Sequence, residues 1–232
     1  MKHLILFALS CIISMITWAQ EQHQEATKFL GIPIDGYKTE MKEKLIAKGF
    51  IYDSQNDCFN GEFNGHNVNL LVVTNNNKVW RIMLADVATA NATDIKIRFN
   101  SLCRQFEKNP KYSPWNLSSD SYSISEDEDI SFQITVKRKR YEASYIQLPE
   151  QLDSTALLEK VQKYLDSKYT QEQLDNLSED ESIKLQKDIF MSFVDEFSKR
   201  CVWFMIKEEG YDCYRIYMFY DNEWNHSNGE DL

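Results

Sequence analysis

The sequence is short of the residues that punctuate a chain and build metal sites: among 232 residues there are 7 glycines, 4 prolines and 4 histidines. So little glycine and proline, alongside 13% aromatic residues, argues against a disordered or low-complexity chain and for a packed core. Glycine scarcity also excludes a phosphate-cradling loop. In "FLGIPIDGYKTEMKEKLIAKGF" (29–50) the Asp35-Gly36 step stands without further glycines or a lysine at fixed spacing. The stretch reads instead as the start of a helix. Pro33 sets an extended approach, Asp35 serves as cap, and Tyr37, Met41 and Leu45 recur at four-residue spacing before a stop at Gly49-Phe50.

Histidine is too sparse for a histidine metal cluster, since no two of His23, His66 and His226 share a helix face or a strand pair. His66 with Cys58 does not make a nucleophile and base either. A hairpin turning at 64–65 sets Cys58 opposite Leu71, far from His66.

Basic residues are outnumbered, 26 against 36 acidic. That balance excludes a nucleic-acid binder, which must neutralise phosphates with Lys and Arg. Long apolar runs are confined to Leu4–Trp18. Preceded by Lys2 and followed by Ala19 and polar "QEQHQE", this run has the order of a secretory signal peptide over 1–19. An uncleaved anchor would need about 20 apolar residues. Cys11 is a poor lipid-attachment site because apolar residues follow it. Cleavage would leave a soluble chain of 213 residues with 25 basic and 36 acidic residues, a formal charge of −11. A polar segment, 20–28, would lead into the folded part.

Four cysteines would survive: Cys58, Cys103, Cys201 and Cys213. Export permits disulfides, while Cys103 falls on an apolar helix face that suits a free thiol, so both states stay open. A turn at 208–210 in "KEEGY" would place Cys201 and Cys213 out of register for a bond.

What the sequence does contain is alternation between strand and helix periods. Strands are expected near 50–54, 58–63, 67–74 and 78–85, joined by turn chemistry at Asn56-Asp57, Asn64-Gly65 and "NNN". A helix follows over 91–109, with Ile95, Phe99, Leu102, Cys103 and Phe106 on one side, a cap near Thr93 or Asp94, and a stop at Pro110. Ile130, Phe132, Ile134 and Val136 alternate as a strand, and Tyr141, Ala143 and Tyr145 continue with shifted parity, which requires a turn or bulge at "KRKR". A helix is expected at 154–168, with Leu157, Leu158, Val161, Tyr164 and Leu165 on one side. Another is capped by Ser178 and Glu181 and carries Ile189, Phe190, Phe193, Val194 and Phe197. "CVWFMIKEEGYDCYRIYMFY" then gives two strands apolar on both faces, which belong in the middle of a sheet.

These patterns predict an α+β fold: antiparallel β-meanders with helices packed on one face, arranged as two related strands-then-helix units over 29–112 and 113–225. A polar tail, 226–232, ends the chain. The opening "FLGIPIDG…L..KGF", the strand "FNGEFNGHNVNLLVV" and the closing "DCYRIYMFYDNEWN" resemble small exported proteins of Bacteroidetes with no assigned activity. The resemblance covers roughly residues 29–112 and 201–225, while 113–200 departs from it. It implies an envelope protein and brings no catalytic residues.

Candidate binding residues are few. Lys137, Arg138, Lys139 and Arg140 form the single basic focus, suited to an anionic headgroup, sulfated glycan or acidic partner. The alternative is an edge strand guarded by its charges. A strand there would place two cations on each face. Trp115 and Trp224 lie in irregular segments and are candidates for stacking on sugars, whereas Trp80, Phe99, Phe106, Phe193, Trp203 and Phe204 fall at core-facing positions. The acidic run "SEDED" (125–129) lacks the alternating ligands and glycine of a calcium loop. No catalytic constellation, metal site or cofactor is implied. Two readings follow: a non-catalytic exported protein binding a protein or glycan partner, or a hydrolase whose carboxylates converge only in three dimensions.

Overall fold

The computed structural model describes residues 25–115, 121–149, 154–178, 180–185, 188–189 and 198–227. The expected signal peptide and residues 228–232 of the expected tail lie outside them, as do Phe190, Phe193, Val194 and Phe197 of the last expected helix. The side chains of Leu157 and Leu158 lie outside them too.

The chain folds as α+β. Its elements begin with a small hairpin, β1 (Lys28–Phe29) and β2 (Ile32–Pro33), and a helix, α1 (Lys38–Ala47). The strands β3 (Ile51–Asp53), β4 (Cys58–Phe63), β5 (His66–Asn75) and β6 (Lys78–Asp86) follow, then helix α2 (Ala92–Lys108) and strand β7 (Tyr112–Pro114). Helix α3 (Ile130–Thr135) precedes β8 (Glu142–Gln147), and α4 (Ser154–Lys168) precedes α5 (Gln171–Asp175). The strands β9 (Arg200–Gly210) and β10 (Cys213–Asn222) close the sequence, with a 3-10 turn at Glu223–Asn225. Strands β3 to β10 form one antiparallel eight-stranded sheet in the order β3-β4-β5-β6-β10-β9-β8-β7. The doubly apolar hairpin β9–β10 occupies the centre, as its composition requires.

The chain divides into two compact units, 26–147 with 198–232, and 1–25 with 148–197. The first contains the sheet. One row across it runs Phe59, Leu70, Leu84, Met218, Phe204 and Ala143, each opposite the next on the adjacent strand. All six are buried and share a core with Met41 and Leu45 of α1 and Ile95, Phe99, Leu102, Cys103 and Phe106 of α2. Both helices therefore pack on this face. Phe106 stacks on Tyr145 at 4.7 Å, and Phe99 meets Phe204 at 5.1 Å. Gly61 is needed for close approach, because a Cβ there would lie 2.5 Å from the Phe50 ring.

In the second unit Val161, Leu165, Leu174, Leu185 and Ile189 form a small core. The expected capping box is present: Glu181 N donates to Ser178 Oγ at 3.3 Å, and Ser178 N donates to Glu181 Oε2 at 2.9 Å.

Several local expectations are corrected. Residues 130–135 form helix α3, not a strand, with Asp129 accepting from Phe132 N at 3.0 Å as cap. Alternate apolar residues at 130, 132, 134 and 136 satisfy both periods. Read at four-residue spacing, Ile130 and Ile134 face inward, while Phe132 and Val136 are exposed at 46% and 59%. Helix α2 is capped by Asn91, which accepts from Thr93 N and Asp94 N, and not by Thr93 or Asp94. Asp35 does not cap α1. Tyr37 holds that position without a side-chain bond and lies exposed, off the Met41–Leu45 stripe. The β9–β10 turn falls at Tyr211-Asp212, since Gly210 still pairs with Cys213. All four described cysteines are free thiols. Cys103 is buried as expected, and burial pushes its thiol up to about 12.

Candidate functional site

The four cations lie on an exposed turn between α3 and β8, with Arg138 in the left-handed region at φ 56°. This replaces the expected strand with two cations on each face. The turn expected at "KRKR" is there, but it joins a helix to a strand, so no strand parity is broken. Lys139 is paired with Glu128, and Arg140 with Glu142. The Lys139 ammonium and then the Tyr141 hydroxyl, which donates to Glu128 at 2.6 Å, hold the Glu128 carboxyl below its ordinary range. Among the described residues the Lys137 ammonium meets only the Phe132 ring, 5.8 Å away, and the Arg138 side chain has no partner. The turn thus presents two uncompensated cations beside exposed Phe132 and Val136.

The acidic run is occupied internally. Lys96 Nζ donates to the carbonyls of Glu126 at 2.5 Å and Glu128 at 3.2 Å, so the positive charge there is the chain's own. Among the described residues no group of three or more His, Cys, Asp and Glu is placed to hold a metal ion.

The sheet face turned away from α1 and α2 is the feature that sequence reasoning missed. Trp80 and Trp203 are half-buried and lie outside the helix-packed core, a correction of their expected placement. Because β6, β9 and β10 are apolar at both parities, their pattern does not say which tryptophans face the helices. A row of facing residues runs Leu71, Met83, Phe219, Trp203 and Ser144. Trp203 stacks on Phe219 at 4.0 Å and 15°, and its Nε1 donates to Asp221 Oδ2 at 2.9 Å. Asp221 also accepts from Arg81 Nε and Nη2, both at 2.6 Å. The Arg81 guanidinium lies 4.2 Å over the Trp80 ring, whose ring in turn packs against His226 at 4.3 Å. Asp221 is thereby neutralised by a bidentate partner, the arrangement that makes a buried carboxylate tolerable.

Trp115 closes the same row at the edge of the sheet. Its backbone N–H donates to the Ser144 carbonyl at 2.9 Å, continuing the register in which Pro114 faces Tyr145. It is 38% exposed. Arg140 meets this region through Glu142, two residues before Ser144. The structure thus brings Trp115 and the end of the basic turn to the β7–β8 margin. Trp224 lies elsewhere, in the 3-10 turn after β10, with Lys199 5.9 Å over its ring.

Each described carboxyl with a resolved shift moves down: Asp53, Asp57, Asp127, Glu128, Glu181 and Glu209. Asp57 is lowered chiefly by Lys38, then by Tyr52 and Lys42. A glycosidase acid needs the opposite, a carboxyl raised by burial.

No helix among the described residues is long and apolar enough to cross a membrane. No family model, curated protein or solved structure matches this chain.

Proposed function

We propose that this is an exported, non-catalytic cell-envelope protein that binds a protein or glycan partner, with the basic turn 137–140 as part of its contact surface. Export rests on the signal-like order of residues 1–19 and on the resemblance stated above. The observation that carries the binding reading is the turn itself. In a chain of charge −10, Lys137 and Arg138 are exposed and uncompensated, next to exposed Phe132 and Val136. Solvated lysines and arginines that merely guarded an edge would need no apolar neighbours. The hydrolase alternative wants a carboxyl raised by burial, whereas each resolved carboxyl shift among the described residues is downward.

The test compares the wild type with a Lys137/Arg138/Lys139/Arg140→Ser variant for retention on cell-envelope extracts at low and high salt. The wild type should be retained at low salt and released as salt rises, because exposed charge pairs are screened over about 10 Å at 0.1 M. The variant should pass through at both. Equal retention of the two proteins would remove the turn from the contact surface.

A further inference from the structure

We propose that Trp115, Ser144 and Trp203, with Arg140 at one end, form a slot for one sugar ring bearing an acidic group. The proposal rests on the binding reading above and names its ligand class. Ser144 lies opposite Trp203 on one side and bonds Trp115 on the other. Residues at facing positions of adjacent strands project to the same side of the sheet. A small side chain therefore separates two indoles carried on strands two spacings apart, about 9–10 Å. Contact between stacked carbon atoms takes about 3.5–4.0 Å on each side. That leaves room for a single ring, with the Ser144 hydroxyl beneath it.

The two walls differ in a useful way. Trp203 is fixed, with Phe219 covering its far side and Asp221 holding its Nε1. Among the described residues Trp115 has no ring partner, and its indole N–H makes no hydrogen bond. An exposed tryptophan with both its face and its donor free suits a ligand that is apolar on one side and hydroxylated at its rim.

Charge selects among such ligands. Glu142 lies on the Ser144 face, about 7 Å along β8. Its partner Arg140 is 68% exposed on its side chain and meets Glu142 through Nη2. Guanidinium has five N–H donors, so a second carboxylate or a sulfate can be held alongside Glu142. Lys137 and Arg138 extend the positive potential from the same turn. An extended peptide is disfavoured within the slot. Between Trp115 and Trp203 the ladder is occupied, because Ser144 is paired to Trp203 on one side and its carbonyl to Trp115 N on the other, so no strand can add inside the slot.

The experiment is calorimetric titration of the full chain with oligogalacturonate, a heparin-derived oligosaccharide, a neutral galactose oligomer and poly-glutamate. At least one acidic sugar should bind saturably, and the neutral oligomer about tenfold more weakly. The carboxylated and sulfated arms identify which acid is held. Trp115→Ala should weaken the sugar about tenfold at an unchanged thermal midpoint. Arg140→Gln should weaken the acidic sugars and leave the neutral one alone. Ser144→Phe, which fills the slot, should abolish binding and serves if Trp115→Ala fails to fold. Acidic-sugar binding that survives Trp115→Ala but is lost in Lys137/Arg138→Ser would overturn the slot and leave the basic turn standing. Equal affinity for poly-glutamate, or no binding of either acidic sugar, would also overturn it.

Discussion

The two faces of the central sheet solve the same problem differently. Toward α1 and α2, β9 and β10 present Val202, Phe204, Ile206, Ile216, Met218 and Tyr220, all buried and all in one core. The other parity presents Cys201, Trp203, Met205, Tyr217, Phe219 and Asp221, where packing is interleaved with an ion pair and an indole hydrogen bond. The first face is held by volume filling, which tolerates no cavity. The second is held by directed bonds, which tolerate no orphan.

The sharpest way to break this contrast is Phe204→Ala. A buried ring that touches Phe99, Phe106 and Tyr145 should cost about 3–5 kcal/mol in urea unfolding. A loss below about 1 kcal/mol would mean that the helix face is not close-packed. Asp221→Ala should cost less, about 2–3 kcal/mol, because Arg81 keeps partial access to water after its partner is removed. Adding Arg81→Met should recover part of that loss. Failure of the double variant to recover would show that Asp221 acts through Trp203 alone. Gly61→Ala comes next, at about 1–3 kcal/mol from overpacking against Phe50. Arg138→Ser should lie within about 0.5 kcal/mol of wild type by the same measurement, as an unpartnered surface residue does.

The smallest effect is one of pH. Glu128 titrates below its ordinary value of 4.5 in the fold, so the stability it contributes is complete above that value and is lost as pH falls through the folded-state value. Glu128→Gln should therefore shrink the drop in thermal midpoint between pH 7 and acid. An unchanged pH profile would mean that the pairs with Lys139 and Tyr141 contribute nothing.

Where one period dominated, the sequence was legible. The four strands of the first meander, α2, α4 and the central position of the closing hairpin all follow from runs whose apolar spacing admits a single reading. The segment 130–136 does not. Its four apolar residues fit both a strand and two faces of one helical turn, and the deciding element is Asp129, whose side chain supplies the cap. Sidedness was hidden for another reason. Over 82–85, 201–206 and 216–220 every position is apolar or aromatic, so nothing in the spacing assigns Trp203 to one face and Phe204 to the other. The candidate slot was half visible for the same reason: Trp115 stood out by its irregular surroundings, while Trp203 and Ser144 join it only through strand register.

The position of β10 has a consequence for the order in which this sheet can be made. Strand β6 ends at Asp86, yet its second neighbour, β10, ends at Asn222. A chain that emerges N-terminus first, from a ribosome or across a membrane, carries that open flank until residue 222 has followed. Until then the early strands hold a ladder that any other extended segment can occupy, so the late strand β10 is the one that protects β3 to β6 from mispairing.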